Sequence, residues 1–243
     1  MKKEHWISIG CLLILWYVCA ALIQNTILIP YPHEVLFYFG NMIFKSDSYL
    51  AIGMTLFRVL KGFVISFLLA LGVVLLIDRF PRFGLYFQPI NILAKTIPNV
   101  SYMILALIWL GSEGAISLVV FMILFPIFFN GLNGRLKEEM EHYQDIETLY
   151  PETFLSKLKY CTFPLIKEEM INTSKTALSL ALKVGVMAEI LGSAQIGIGR
   201  QLYLAKINLD TARLIAWTLV IILLSVLFDL VFHSIALRNK KEG

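Results

Sequence analysis

Charge is scarce in this chain. Asp, Glu, Lys and Arg together make up 16% of its 243 residues, whereas soluble domains carry about 25%. Hydrophobic residues reach 58% and mean hydropathy is +0.75, which excludes an ordinary soluble domain and points to a polytopic membrane protein. Cysteine is scarce too. Cys11, Cys19 and Cys161 lie far apart, match no metal spacing and are odd in number, so neither a metal site nor a disulfide framework is expected. There is no Gly-Lys-Ser/Thr phosphate loop, so any ATP-driven work needs a partner. No alternating ten-residue pattern supports a β-barrel. Basic residues do not cluster with aromatics in a soluble segment, so no nucleic-acid partner is inferred. The length allows one domain, 1–243.

What remains is apolar runs and one polar stretch. Six runs, roughly 6–24, 56–77, 90–110, 114–131, 174–196 and 213–236, are long enough to span a bilayer core. In lipid these must be helices, because a strand cannot satisfy its backbone there. The expected fold is therefore all-α, with six transmembrane helices. The first run follows Met1-Lys2-Lys3, is longer than a secretory core and lacks small residues near Cys19, so it reads as a retained helix. With the N-terminus inside, twelve Lys and Arg fall in inside segments against three outside (Lys45, Arg200 and Lys206). That bias places both termini and the polar stretch in the cytoplasm.

Several residues stand out along the runs. Residues 34–44 form either a short helix on the outer surface or a plain loop. Arg58 and Lys61 share a helical face near the outer end of the second run, where they snorkel toward head groups or contact an outside partner or anionic solute. Pro98 and Pro126 are expected to kink the third and fourth runs, which Gly111-Ser112-Glu113-Gly114 joins by a tight turn. The fifth run holds Lys183 and Glu189, six apart and so expected to have different partners. Ionisable groups in a membrane helix usually face the bundle interior. Ala177, Ala181, Gly185, Ala188 and Gly192 form a ridge of small residues that lets another helix come close. The ridge serves internal packing, a dimer seam or the lining of a path. The glycines at 192–199 follow no strand, so a nucleotide site is rejected there. Asp229 and His233, four apart, could pair.

The polar stretch, Glu138 to Glu169, is too charged to lie in lipid. Pro151 suits the first position of a helix. Phe154, Leu155, Leu158 and Cys161 then make an apolar stripe flanked by Lys157 and Lys159, and Pro164 is expected to end that helix. A short amphipathic helix of this kind is a docking knob for a soluble partner.

On these residues the chain resembles the permease subunits of binding-protein-dependent ABC importers, of the nitrate, sulfonate and taurine branch. That family carries a cytoplasmic signature of an acidic residue and two alanines, then a glycine, an apolar position and a final Leu-Pro. Asp145 falls at the acidic position, Ile146 and Glu147 at the alanines, and Pro151 at the glycine. Leu158 falls at the apolar position and Phe163-Pro164 at the end, with the family's spacing. Asp for Glu, Glu147 for a small residue and Pro151 for glycine depart from the pattern, and proline cannot adopt the positive φ that glycine permits. Further pieces lie in order along the chain: Pro30-Tyr31-Pro32, Thr55-Leu56-Phe57-Arg58-Val59, Ile97-Pro98, Trp109-Leu110-Gly111, Ala188-Glu189-Ile190-Leu191-Gly192, Gly197-Ile198-Gly199 and Leu227-Phe228-Asp229.

The resemblance implies the ABC type I importer permease fold, with a cytoplasmic coupling helix between helices 4 and 5 in a loop at about 132–173. It implies no enzyme activity in this chain and no cofactor bound by it. ATP and Mg would be used by two partner ATPase subunits gripping Asp145, Glu147, Pro151, Phe154, Leu158 and Pro164. A second permease copy, giving a homodimer, and an extracytoplasmic binding protein complete the expected assembly in a bacterial inner membrane. Pro98, Lys183, Gly185, Glu189 and Gly192 would line the path or the dimer seam. The solute would be a small anion such as nitrate, sulfonate or taurine, or alternatively a vitamin-like solute such as a thiamine precursor. An ion-coupled transporter using Glu189 as a proton relay and an intramembrane enzyme built on Asp229 and His233 are the competing classes.

Overall fold

The computed structural model describes residues 3–149 and 153–242, with side chains outside that description at 3, 5, 6, 141–149, 154, 233 and 235–242. Described residues form helices α1 (Lys3–Ile23), α2 (Pro32–Ile43), α3 (Ser46–Arg79), α4 (Pro81–Thr96) and α5 (Asn99–Leu149). After these come the short α6 (Phe154–Lys157), a π turn (Leu158–Thr162), α7 (Phe163–Leu191), α8 (Ile198–Ile207) and α9 (Thr211–Glu242). Ser46–Arg79, Asn99–Met140 and Thr211–Phe232 are long and apolar enough to cross a membrane, and Ile7–Ile23 is a shorter apolar helix. Residues 34–44, left open between helix and loop, lie almost wholly in α2. Pro32 sits in its first turn, and the Glu34 carboxylate accepts the Tyr31 backbone N–H at 3.0 Å.

Two expectations about the helices change. The run 90–110 is not one helix: α4 stops at Thr96, and Ile97 takes φ −68°, ψ 127°. A residue before proline is pushed out of the helical region by the ring, so Pro98 separates two helices instead of kinking one. The second change concerns Pro164, which does not end a helix. The chain stays helical from Phe154 to Leu191, with Pro164 in the first turn of α7. Proline has no N–H to give the carbonyl four residues back, and its ring crowds that carbonyl. The wider π turn just before it, where the Phe163 N–H reaches the Leu158 carbonyl, makes the room.

Between the runs 90–110 and 114–131, the expected turn is a single break. Gly111 has φ +66°, ψ −177° and interrupts α5, a conformation open to glycine because it lacks a Cβ. Pro126 lies inside α5 as expected. The Asn130 side chain donates to the Pro126 carbonyl and accepts from Asn91 Nδ2 at 2.9 Å, tying α4 to α5.

The core sits where α3, α5 and α7 meet. Phe128 is fully buried, with Phe63 and Phe67 edge-on to it at 5.2 and 5.4 Å, a favoured ring geometry. Close approach depends on small residues. A Cβ at Gly62 would lie 2.6 Å from the Ser117 carbonyl oxygen and 2.7 Å from Val120 Cβ. The ridge on α7 also faces inward: Ala177, Ala181, Gly185 and Ala188 are buried, and Gly185 rests against Val59 of α3. Of the uses open to that ridge, packing within the chain is the one observed.

Candidate functional site

Near the start of α3, Thr55 and Arg58 lie one helical turn apart and face α7. There Glu189 is fully buried, on the last turn before α7 ends. The chain beyond α7 folds back over it. Gly197, at φ +154°, and Gly199 bring the backbone so close that a Cβ at Gly197 would stand 2.5 Å from both Glu189 carboxylate oxygens. Two of the glycines rejected as a nucleotide site, Gly197 and Gly199, are therefore there to admit a carboxylate.

The result is a closed polar knot. Arg58 Nη1 donates to Glu189 Oε1 at 2.8 Å and to the Ile196 carbonyl at 2.6 Å. Thr55 Oγ1 lies 2.9 Å from each Glu189 oxygen and accepts the Ile198 N–H at 2.8 Å. The Gly199 N–H gives Glu189 Oε2 a further bond of 2.8 Å. On its other side Arg58 pairs with Glu113, just past the Gly111 break, through Nε at 3.0 Å and through Nη2. The guanidinium fork thus joins α5 and α7 through α3. A buried charge is tolerated when it is paired and hydrogen-bonded, and each charge here is.

Arg58 therefore does not snorkel outward; it is 3% exposed, because two carboxylates and a carbonyl hold it inside. Lys61, on the same face in sequence, is exposed. Lys183 is exposed and Glu189 buried, and the partners of Glu189 are Arg58, Thr55 and the Gly199 N–H. Gly192 ends α7, where an added Cβ would meet Leu107 at 2.6 Å. Pro98 is exposed at the α4–α5 junction. A proton relay through Glu189 finds both of its oxygens already engaged by Arg58, Thr55 and Gly199. Asp229 is exposed, and the His233 side chain lies outside the described residues.

A second polar tie lies at the other end of α3. Asp78 Oδ1 is 3.2 Å from Lys157 Nζ, and Thr162 Oγ1 donates to Asp78 Oδ2 at 2.8 Å. Leu158 opens the π turn half-buried, and Pro164 is exposed. Asp145 and Glu147 lie on the last turns of α5 and Phe154 begins α6, but their side chains are outside the described residues, as is Pro151 altogether. Close by, a cavity of about 550 Å³ is lined by Asp78, Lys95, Asn91, Asn130, Lys137 and Lys157 among others. Among the described residues no group of His, Cys, Asp and Glu could hold a metal ion.

Sequence reasoning alone did not single out Asp78, Glu113 or Thr162. Their partners are 55 to 84 positions away, and no local spacing signals such pairs. An acidic residue closing an otherwise apolar run was the available hint for Asp78.

No family model matches the chain. Over 255 aligned residues it is 21% identical to a protein of Bacillus subtilis (strain 168) described as a putative aliphatic sulfonates transport permease protein, SsuC. The alignment covers 100% of this chain and 91% of that protein. A full-length match of this kind, to a chain with apolar helices able to cross a bilayer, identifies an integral membrane protein that is a distant relative of the permease subunits of ABC importers.

Proposed function

We propose that this chain is the membrane-spanning permease of an ATP-driven importer and forms the path for a small anionic solute of the sulfonate, nitrate or taurine kind. The full-length similarity to the Bacillus permease carries this reading. In it the chain crosses the inner membrane six times, both termini are cytoplasmic, and two copies enclose the path. The polar stretch is the coupling segment, on which Asp145, Glu147, Pro151, Phe154, Leu158 and Pro164 meet the ATPase. ATP and Mg are bound by the ATPase subunits, and an extracytoplasmic binding protein delivers the solute.

The chemistry of the two ties fits such work. Alternating access needs helices that move as units, and polar ties at both ends of α3 make units of α3 and its neighbours. The experiment is purification of the tagged chain with its co-purifying subunits into liposomes, with the solute-binding protein added on the outer side. ATP-dependent uptake of ethanesulfonate, taurine or nitrate is expected. An isolated chain that transports with no ATPase bound would overturn the reading.

A further inference from the structure

We propose that Asp78 is a positioning residue that locks α3 and α7 into one frame, so that a displacement of the polar segment moves both together. The proposal rests on the permease reading above and deepens it. Asp78 spends one carboxylate oxygen on each side of the π turn. Oδ1 holds Lys157, the last residue of α6, and Oδ2 holds Thr162, the last residue of the turn. The Asp78 side chain is 4% exposed and Thr162 is fully buried, so water does not compete strongly for either bond. A π turn is an extra-wide, locally weak segment that recurs at functional sites. Here one carboxylate grips it from both ends.

α3 itself is one uninterrupted helix with no proline. Twenty residues separate Asp78 from Arg58, or about 30 Å at 1.5 Å per residue, which matches a bilayer core. At that far end Arg58 and Thr55 hold Glu189 on α7. At the near end α7 grows directly out of the π turn that Asp78 holds. Both ends of α7 are thus tied to α3, at points about 20 residues apart along it, like the long sides of a frame. With only the Glu189 tie, α7 would swing about that end while α3 lagged. With both ties, the inner ends of α3 and α7 keep their separation as the polar segment shifts.

The test places spin labels at the exposed positions Leu76 on α3 and Lys167 on α7, with the three cysteines replaced by alanine. The purified assembly is measured without nucleotide and trapped with ATP and vanadate. In the otherwise unchanged chain the label distance should stay the same in both states. In Asp78→Ala, which removes both bonds, it should change on trapping by more than about 2 Å, the scale of helix shifts in switching proteins. ATP hydrolysis should stay within a factor of about two, a barrier change well under that of a tenfold effect. Should the Asp78 variant fail to assemble, Thr162→Val combined with Lys157→Met removes both of the carboxylate's partners and must show the same change. A distance that is unchanged in the variant, or that already changes without it, overturns the proposal while leaving the permease reading intact. An assembly that binds no ATPase overturns both.

Discussion

Arg58→Met is the sharpest test of the knot at the start of α3. The substitution keeps an unbranched side chain and removes the positive charge. Glu189 would remain fully buried, with Thr55 and the Gly199 N–H as its remaining donors. Glu113, half exposed, would turn to water at little cost. Removing one partner of a buried pair typically costs about 3–5 kcal/mol, because an uncompensated charge stays behind. For a chain of this size each kcal/mol shifts the melting temperature by about 2–4 °C. The expected loss is therefore roughly 6–20 °C in a detergent-solubilised thermal melt. Glu189→Gln should also destabilise despite its nearly identical shape. Its amide NH2 must face either Arg58 Nη1 or the Gly199 N–H, donor against donor. The double variant Arg58→Met with Glu189→Met should melt higher than the two single losses add up to, since removing both charges of a buried pair can be nearly neutral. If Arg58→Met melts within about 2 °C of the parent, below the shift that 1 kcal/mol gives, the knot contributes nothing to stability and the reasoning is refuted.

Three more outcomes are expected from the same geometry. Gly197→Ala should destabilise by about 2 kcal/mol or more, combining strain at φ +154° with crowding of the Glu189 oxygens; a normal melting curve would refute the close approach. Leu158→Asp should abolish ATP-dependent uptake while membrane insertion, followed by fractionation, stays normal; unimpaired uptake would remove the coupling role from that segment. Tyr38 on α2 should ionise above the usual tyrosine range, because its hydroxyl is hydrogen-bonded to Asp210 and the carboxylate charge opposes phenolate. A raised folded pKa means that the contribution of this contact is present at neutral pH and is lost as pH climbs through it. Ultraviolet titration of the parent against Tyr38→Phe should show that late step, and Asp210→Asn should bring it earlier.

Much of the helical architecture could be read from the chain, because twenty-residue apolar runs and prolines act locally. The apolar runs around 56–77 and 213–236 lie within α3 and α9, and the turn expected at 111–114 is the Gly111 break. What failed was also local in origin. Hydropathy averages over Ile97-Pro98 and so joins α4 to the start of α5, while a proline rule applied alone stops the helix at Pro164 and ignores the π turn that accommodates it. At the site, Glu189 stood out as an ionisable residue in an apolar run. Its partner Arg58 stood out as well, but they are 131 positions apart and nothing in either segment names the other. The glycines of 197–199 carried the clue in plain view, since a carboxylate buried under backbone needs residues without side chains above it.

α1 stands apart from all of this. It touches α2 and is steadied by the Trp16 indole donating to the Pro30 carbonyl at 3.1 Å and by the Tyr17 and Tyr31 rings at 5.4 Å. Around its length Leu12, Leu13, Ile14, Leu15 and Leu22 are exposed. Among the described residues α2 is its principal helix partner, so a protease cutting between Gln24 and Ile29 would leave α1 held by those ring and indole contacts alone, while the phenylalanine-filled interior behind α3 stayed closed.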